Sequence, residues 1–124
     1  MKVLVTGDRH WHNKNRIREV LSALTGVECI IEGGARGADT LALIVATELG
    51  IPVIEFPADW IKYGGAAGPI RNRQMLSEGK PGLVVAFHNN ILKSKGTRDM
   101  VRIARAEGTK TRVYTEFGHY EGEV

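Results

Sequence analysis

Five short apolar runs alternate along this chain with four stretches of helical spacing. That alternation restricts the architecture to a mainly parallel sheet covered by helices on both faces. The runs lie at Val3-Leu4-Val5, Glu28 to Ile31, Ile51 to Phe56, Leu83 to Phe87 and Arg112 to Thr115. The first and fourth are apolar without interruption, the pattern of a strand buried on both faces. Ile17, Val20, Leu21 and Leu24 recur at the spacing of one helix face, which predicts a helix from about Asn15 to Leu24, stopped by Thr25-Gly26. A second helix, about Ala38 to Leu49, is apolar almost all round, so it is either deeply buried or covered by another subunit. A third carries Pro69 in its first turn, and a fourth packs through Met100, Ile103 and Ala104 and ends near Glu107. With right-handed crossovers the expected arrangement is a three-layer α/β fold with a five-stranded parallel sheet in the order 3-2-1-4-5. The polar tail from Glu116 to Val124 is expected to fray at its end.

In such sheets ligands bind beyond the carboxyl ends of the strands, near the point where the strand order reverses. The loops after strands one, two and four would converge there, and those are the loops rich in glycine and polar side chains. The second runs Glu32-Gly33-Gly34-Ala35-Arg36-Gly37-Ala38-Asp39. Its glycines permit a sharp turn and a close approach of the main chain, and the helix start beyond it offers free N–H groups to an anion. No Gly-Lys-Ser/Thr follows, so it is not a Walker loop, and it does not match the G-x-G-x-x-G dinucleotide motif. The first loop is Gly7-Asp8-Arg9-His10-Trp11-His12-Asn13, and after strand four comes Lys95-Gly96-Thr97, where the Thr97 hydroxyl could cap the helix. Basic residues cluster at the expected crevice: Arg9, Arg36, Arg71, Arg73, Lys95 and Arg98. The long segment from Pro57 to Gly68 leads to Arg71 and Asn72, which either form a solvated face or reach phosphate and a base or ribose. The expected ligand-binding set is therefore Gly7, Asp8, Arg9, Gly33, Gly34, Arg36, Gly37, Asp39, Arg71, Asn72, Lys95, Gly96 and Thr97.

Each of these has a plainer alternative. Asp39 either steadies the first turn of its helix or accepts from a ribose hydroxyl, and Asp8 and Asp99 divide in the same way. Trp11, Trp60 and Tyr63 could serve a base, with packing the default role for each. His10, His12, Asp8 and His88 form only a weak metal pattern, so neither a metal nor a cofactor is expected. The lone Cys29 reads as a small core thiol. With 17 Lys plus Arg against 14 Asp plus Glu, the net charge of +3 is too small to imply nucleic-acid binding by itself. No apolar stretch reaches membrane-spanning length, and the opening segment reads as a strand and not a signal peptide. The expectation is one domain over residues 1–124 in the cytoplasm, with no membrane partner and a homodimer or higher homo-oligomer as its state.

The motifs Val5-Thr6-Gly7-Asp8-Arg9, Glu32 to Asp39, Phe56 to Trp60, Ala67 to Arg73 and Ser94 to Asp99 resemble the YspA-type branch of the SLOG superfamily, also described as DUF2493. The resemblance covers most of the chain. It implies a Rossmann-like fold and the binding of a nucleotide or an NAD- or ADP-ribose-like molecule, as in bacterial and phage conflict. The chain is also similar to the Lonely Guy phosphoribohydrolases, which carry Pro-Gly-Gly-x-Gly-Thr-x-x-Glu. Gly96-Thr97 survives here, the Pro-Gly-Gly is absent, and Met100 stands at the glutamate position. Asp99 is one residue short, a rotation of about 100° on a helix. If the chain is an N-glycosidic hydrolase, Asp99 and Asp39 are the candidate catalytic carboxylates. A third resemblance, to DNA-processing protein A, implies single-stranded DNA binding. That reading ranks last, because the chain lacks a broad basic surface with interleaved aromatics. A nucleotide-binding sensor or sequestering protein ranks first.

Overall fold

β1 (Lys2–Gly7) takes the centre of the sheet, pairing in parallel with β2 (Cys29–Glu32) on one side and β4 (Leu83–Phe87) on the other. β3 (Val53–Glu55) adds in parallel outside β2, and β5 (Lys110–Tyr114) outside β4. The computed structural model describes residues 1–121. Side chains alternate across each strand, so β1 feeds two cores at once. Val3 and Val5 face α1 (Lys14–Ala23) and α2 (Ala38–Glu48), where Ile17, Leu21, Ala42 and Val45 meet them. Leu4 faces α4 (Ala67–Gly79) and α5 (Gly96–Ala106), against Met75, Leu76, Met100 and Ala104. This two-sided burial is why β1 and β4 read as unbroken apolar runs.

The order 3-2-1-4-5 is as expected, but the sheet has a sixth strand. β6 (His119–Tyr120) pairs antiparallel with β5 at the far edge. It is two residues long and carries no apolar alternation, so no periodic pattern marks it. A tight turn makes it possible: the Thr115 amide donates to the Gly118 carbonyl at 2.9 Å. Arg16 then holds that turn, donating to Thr115 O at 3.0 Å and to Gly118 O at 2.9 Å. The remainder of the polar tail, residues 122–124, lies outside the described residues.

The segment from Pro57 to Gly68 is not an open loop. It folds into a short helix, α3 (Trp60–Tyr63), and a 3-10 turn at Gly64–Ala66. Asp59 caps α3, its Oδ1 accepting from the Lys62 amide at 3.0 Å. Cys29 is a free, buried thiol. On α2, Ala42, Val45 and Ala46 are buried while Leu43 and Ile44 remain at the surface. No helix among the described residues is long and apolar enough to cross a membrane.

Candidate functional site

Three loops meet at the carboxyl ends of β1, β2 and β4, and glycines let them touch. A Cβ on Gly7 would stand 2.5 Å from the Phe87 carbonyl oxygen and 2.6 Å from the Ala38 Cβ. Gly37 has φ 75°, and a Cβ there would overlap the Asp8 and Arg9 main chain. Main-chain hydrogen bonds complete the clamp: Asp8 N–H to Phe87 O at 2.9 Å, and Ala38 N–H to Asp8 O at 3.1 Å. These two glycines serve loop-to-loop packing, with no ligand needed to explain them.

The glycine turn itself departs from the expectation of a free amide cradle. Asp39 Oδ2 accepts from the Gly33 amide at 3.1 Å and the Ala35 amide at 3.2 Å. Glu32 Oε2 accepts from the Gly34 amide at 2.6 Å. The turn's donors are thus taken by the protein's own carboxylates, because buried carboxylates need partners as much as amides do. Burial drives the Asp39 carboxyl up to about 6 against the opposing pull of the Ala35 amide, Arg71 and the Gly33 amide. Glu32 is fully buried, its Oε1 lacks a hydrogen-bond partner, and its strand-register neighbour is Glu55. Burial first, then the neighbouring Glu55 carboxyl, raises its carboxyl to about 8.

Arg71 crosses from α4 to the same turn and donates to the Gly33 carbonyl, and a Cβ on Gly33 would overlap its guanidinium. Burial pulls the Arg71 guanidinium below its usual range; Asp39 opposes this and Arg9 adds to it. The neighbouring Asn72 is buried and used up internally. Its Oδ1 accepts from Arg71 at 3.2 Å, and its Nδ2 donates to Gly96 O at 3.3 Å and Asp99 Oδ2 at 3.0 Å. Asn72 therefore joins α4 to the start of α5. At that start the capping side chain is Ser94, not Thr97: the Thr97 amide donates to Ser94 Oγ at 3.0 Å, and Thr97 is buried. The space beside Gly96 is open, with no heavy atom within 4 Å of a Cβ built there.

These elements enclose a crevice of about 510 Å3. Gly7, Asp8, Arg9, Asp39 and Arg71 line it together with Asn72, Lys95, Gly96, Thr97 and Asp99. Gly33, Gly34 and Arg36 line an adjoining hollow of about 380 Å3 instead. Gly37 lines neither.

Of the remaining expectations the basic cluster needs correction, whereas Trp11 takes its default packing role and Asp99 keeps its place as a candidate. Trp11 is a core residue, 4% exposed, tilted against Phe87 with ring centroids 5.6 Å apart. Arg73 is exposed and lines neither cavity, and Arg98 faces a separate groove beside α5. The one-residue offset of Asp99 does not take it out of the site: Asp99 lines the crevice, while Met100 is fully buried in the core. Trp60, which is half exposed, lines both cavities.

Lys93, Ser94 and the Glu32–Glu55 pair went unmarked in the sequence, although a carboxylate ending an apolar strand at Glu32 was a visible signal. His88 sits with Nε2 3.8 Å from Asp8 Oδ2, its imidazole pulled down by burial against the pull of that carboxylate. No group of three or more His, Cys, Asp or Glu arranged to hold a metal ion occurs among the described residues.

A mainly parallel sheet with order 3-2-1-4-5-6 and a crevice at its switch point defines a Rossmann-like α/β protein. The chain belongs to the YspA, cpYpsA-related SLOG family, whose model matches residues 1–63. It is 32% identical over 123 residues to the Gene 61 protein of Mycobacterium phage D29, covering 86% of this chain and 90% of that one. Among solved structures, DNA processing protein A (DprA) from Streptococcus pneumoniae shares the fold with a TM-score of 0.73 at 21% identity. That match covers 92% of this chain and 49% of the DprA chain, so this chain spans about half the length of DprA.

Proposed function

We propose that the crevice binds a nucleotide or nucleotide-derived ligand of the NAD or ADP-ribose kind, and that the protein acts as a sensor or sequestering protein. Membership of the SLOG family, with a fold like that of a DNA-processing protein, suggests nucleotide- or DNA-related binding. The observation that carries the finer reading is the start of α5. Lys95, Gly96 with the open space beside it, and Thr97 all border one crevice with Arg9 and Arg71. Free helix N-termini and cations hold phosphate. Trp60 supplies an apolar face on which a base can stack.

One observation favours turnover as the second reading. The Asp99 carboxylate borders the crevice and is held in place by Asn72, as a group activating water beside a glycosidic bond must be. Single-stranded DNA ranks third. The exposed Leu43 and Ile44 on α2 support the homodimer part of the reading. Incubation with a panel of nucleoside monophosphates and NAD, followed by calorimetry and chromatography, tests all of these. Stoichiometric binding without conversion supports the sensor. Release of free base that is abolished by Asp99→Asn supports the hydrolase.

A further inference from the structure

The crevice and its adjoining hollow share a boundary made by Arg9, Ala35, Trp60 and Arg71. Their far ends differ. Lys93 and Lys95 border the crevice and not the hollow, whereas Arg36 borders the hollow and not the crevice. The crevice is electrically mixed, since Asp8, Asp39 and Asp99 line it together with cations. In the hollow every charged lining residue is an arginine: Arg9, Arg36 and Arg71.

Among the described residues none of these three arginines forms an ion pair, although six ion pairs stand elsewhere on the molecule. Arg9 and Arg71 are close enough for Arg9 to repel the Arg71 guanidinium, while the Asp39 and Glu32 carboxyls attract it. Like charges gathered on one hollow are unfavourable, the Asp39 carboxyl offsets this only for Arg71, and a bound anion lowers the cost further. Guanidinium groups are also the side chains best matched to the planar, two-point recognition of phosphate oxygens.

We propose that the arginine hollow is a second anion subsite. Its ligand is then a nucleoside unit flanked by two phosphate groups, one at the start of α5 and one among Arg9, Arg36 and Arg71. A pyrophosphate, with adjacent charges, serves only one end. A nucleoside with phosphates at separate positions spans both, its base or sugar passing Trp60. The same chemistry is offered by a free nucleoside bisphosphate and by a residue within a short strand. The inference rests on the nucleotide reading of the crevice, not on its NAD or ADP-ribose form, and adds the second charge.

The experiment compares adenosine, AMP, adenosine 3′,5′-bisphosphate and a tetranucleotide by calorimetry on the full chain, with wild type and Arg36→Ala. Arg36 is exposed and has no hydrogen bond or ion pair within the described residues, so its loss leaves the fold intact, which an unchanged Tm verifies. The bisphosphate is expected to bind about tenfold or more tighter than AMP, since a charge-assisted contact to phosphate is a strong one. Arg36→Ala is expected to erase that gain and leave AMP unchanged. Tighter binding of the tetranucleotide than of the bisphosphate assigns the subsite to a strand, and the reverse assigns it to a small molecule. AMP and bisphosphate binding equally, or Arg36→Ala weakening both alike, overturns the second subsite and leaves the crevice reading standing. No binding by any probe overturns both.

Discussion

Asn72 donates to Asp99 across the gap between two helices, with Nδ2 and Oδ2 3.0 Å apart, and so fixes the one crevice carboxylate that α5 supplies. The same Nδ2 reaches Gly96 O at 3.3 Å. Asn72 is therefore a positioning residue between the start of α4 and the start of α5.

Asn72→Ala removes those bonds from a buried place. It is expected to cost about 1–3 kcal/mol of stability, the usual penalty for leaving buried partners unsatisfied. Nucleotide affinity should fall as well, because the helix start proposed to hold phosphate loses its tie. Urea unfolding and calorimetry check both, and unchanged affinity would show that the helix start does not depend on this contact.

The glycines should separate into two classes. Gly37→Ala puts a side chain at φ 75° and into the Asp8–Arg9 main chain, so a severe loss of Tm is expected. Gly96→Ala fills open space at the start of a helix, so Tm is expected to hold or rise while nucleotide binding weakens. Thermal melts with and without AMP separate these outcomes.

Stability should fall as pH rises through the neutral range. Glu32 titrates near 8 in the folded protein against an ordinary 4.5, and Asp39 near 6 against 3.8. The folded state thus holds more protons than the unfolded chain between those values. The contribution of each group is complete below its unfolded pKa and is lost as pH climbs through the folded one. Glu32→Gln mimics the protonated acid and is expected to raise Tm at pH 8 and flatten the decline above pH 5. Melting curves from pH 4.5 to 9 check this, and a destabilised Glu32→Gln at pH 8 contradicts it.

Much of the architecture was legible because burial on two faces leaves a plain mark. β1 and β4 have no polar interruption, and the helix faces of α1 and α5 repeat at helical spacing. β6 was not legible, since a two-residue strand is set by the Thr115–Gly118 turn and by Arg16, roughly a hundred residues away in sequence. In the crevice, the convergence of loops followed from strand order. What the glycines were for did not follow. Ligand approach and tight self-packing require the same residue, and only the fold reveals that Phe87, Asp8 and Arg71 occupy the space beside Gly7, Gly37 and Gly33. The same holds for Asp39, whose carboxylate returns to amides six and four residues back.

The most direct test is an amide-resolved NMR titration of the labelled protein with AMP. The predicted result is a saturable shift at Lys95, Gly96 and Thr97, with the amides of Gly33, Gly34 and Ala35 still bonded to Asp39 and Glu32 and moving little. Saturable shifts confined to the glycine turn, with the start of α5 silent, would contradict the account.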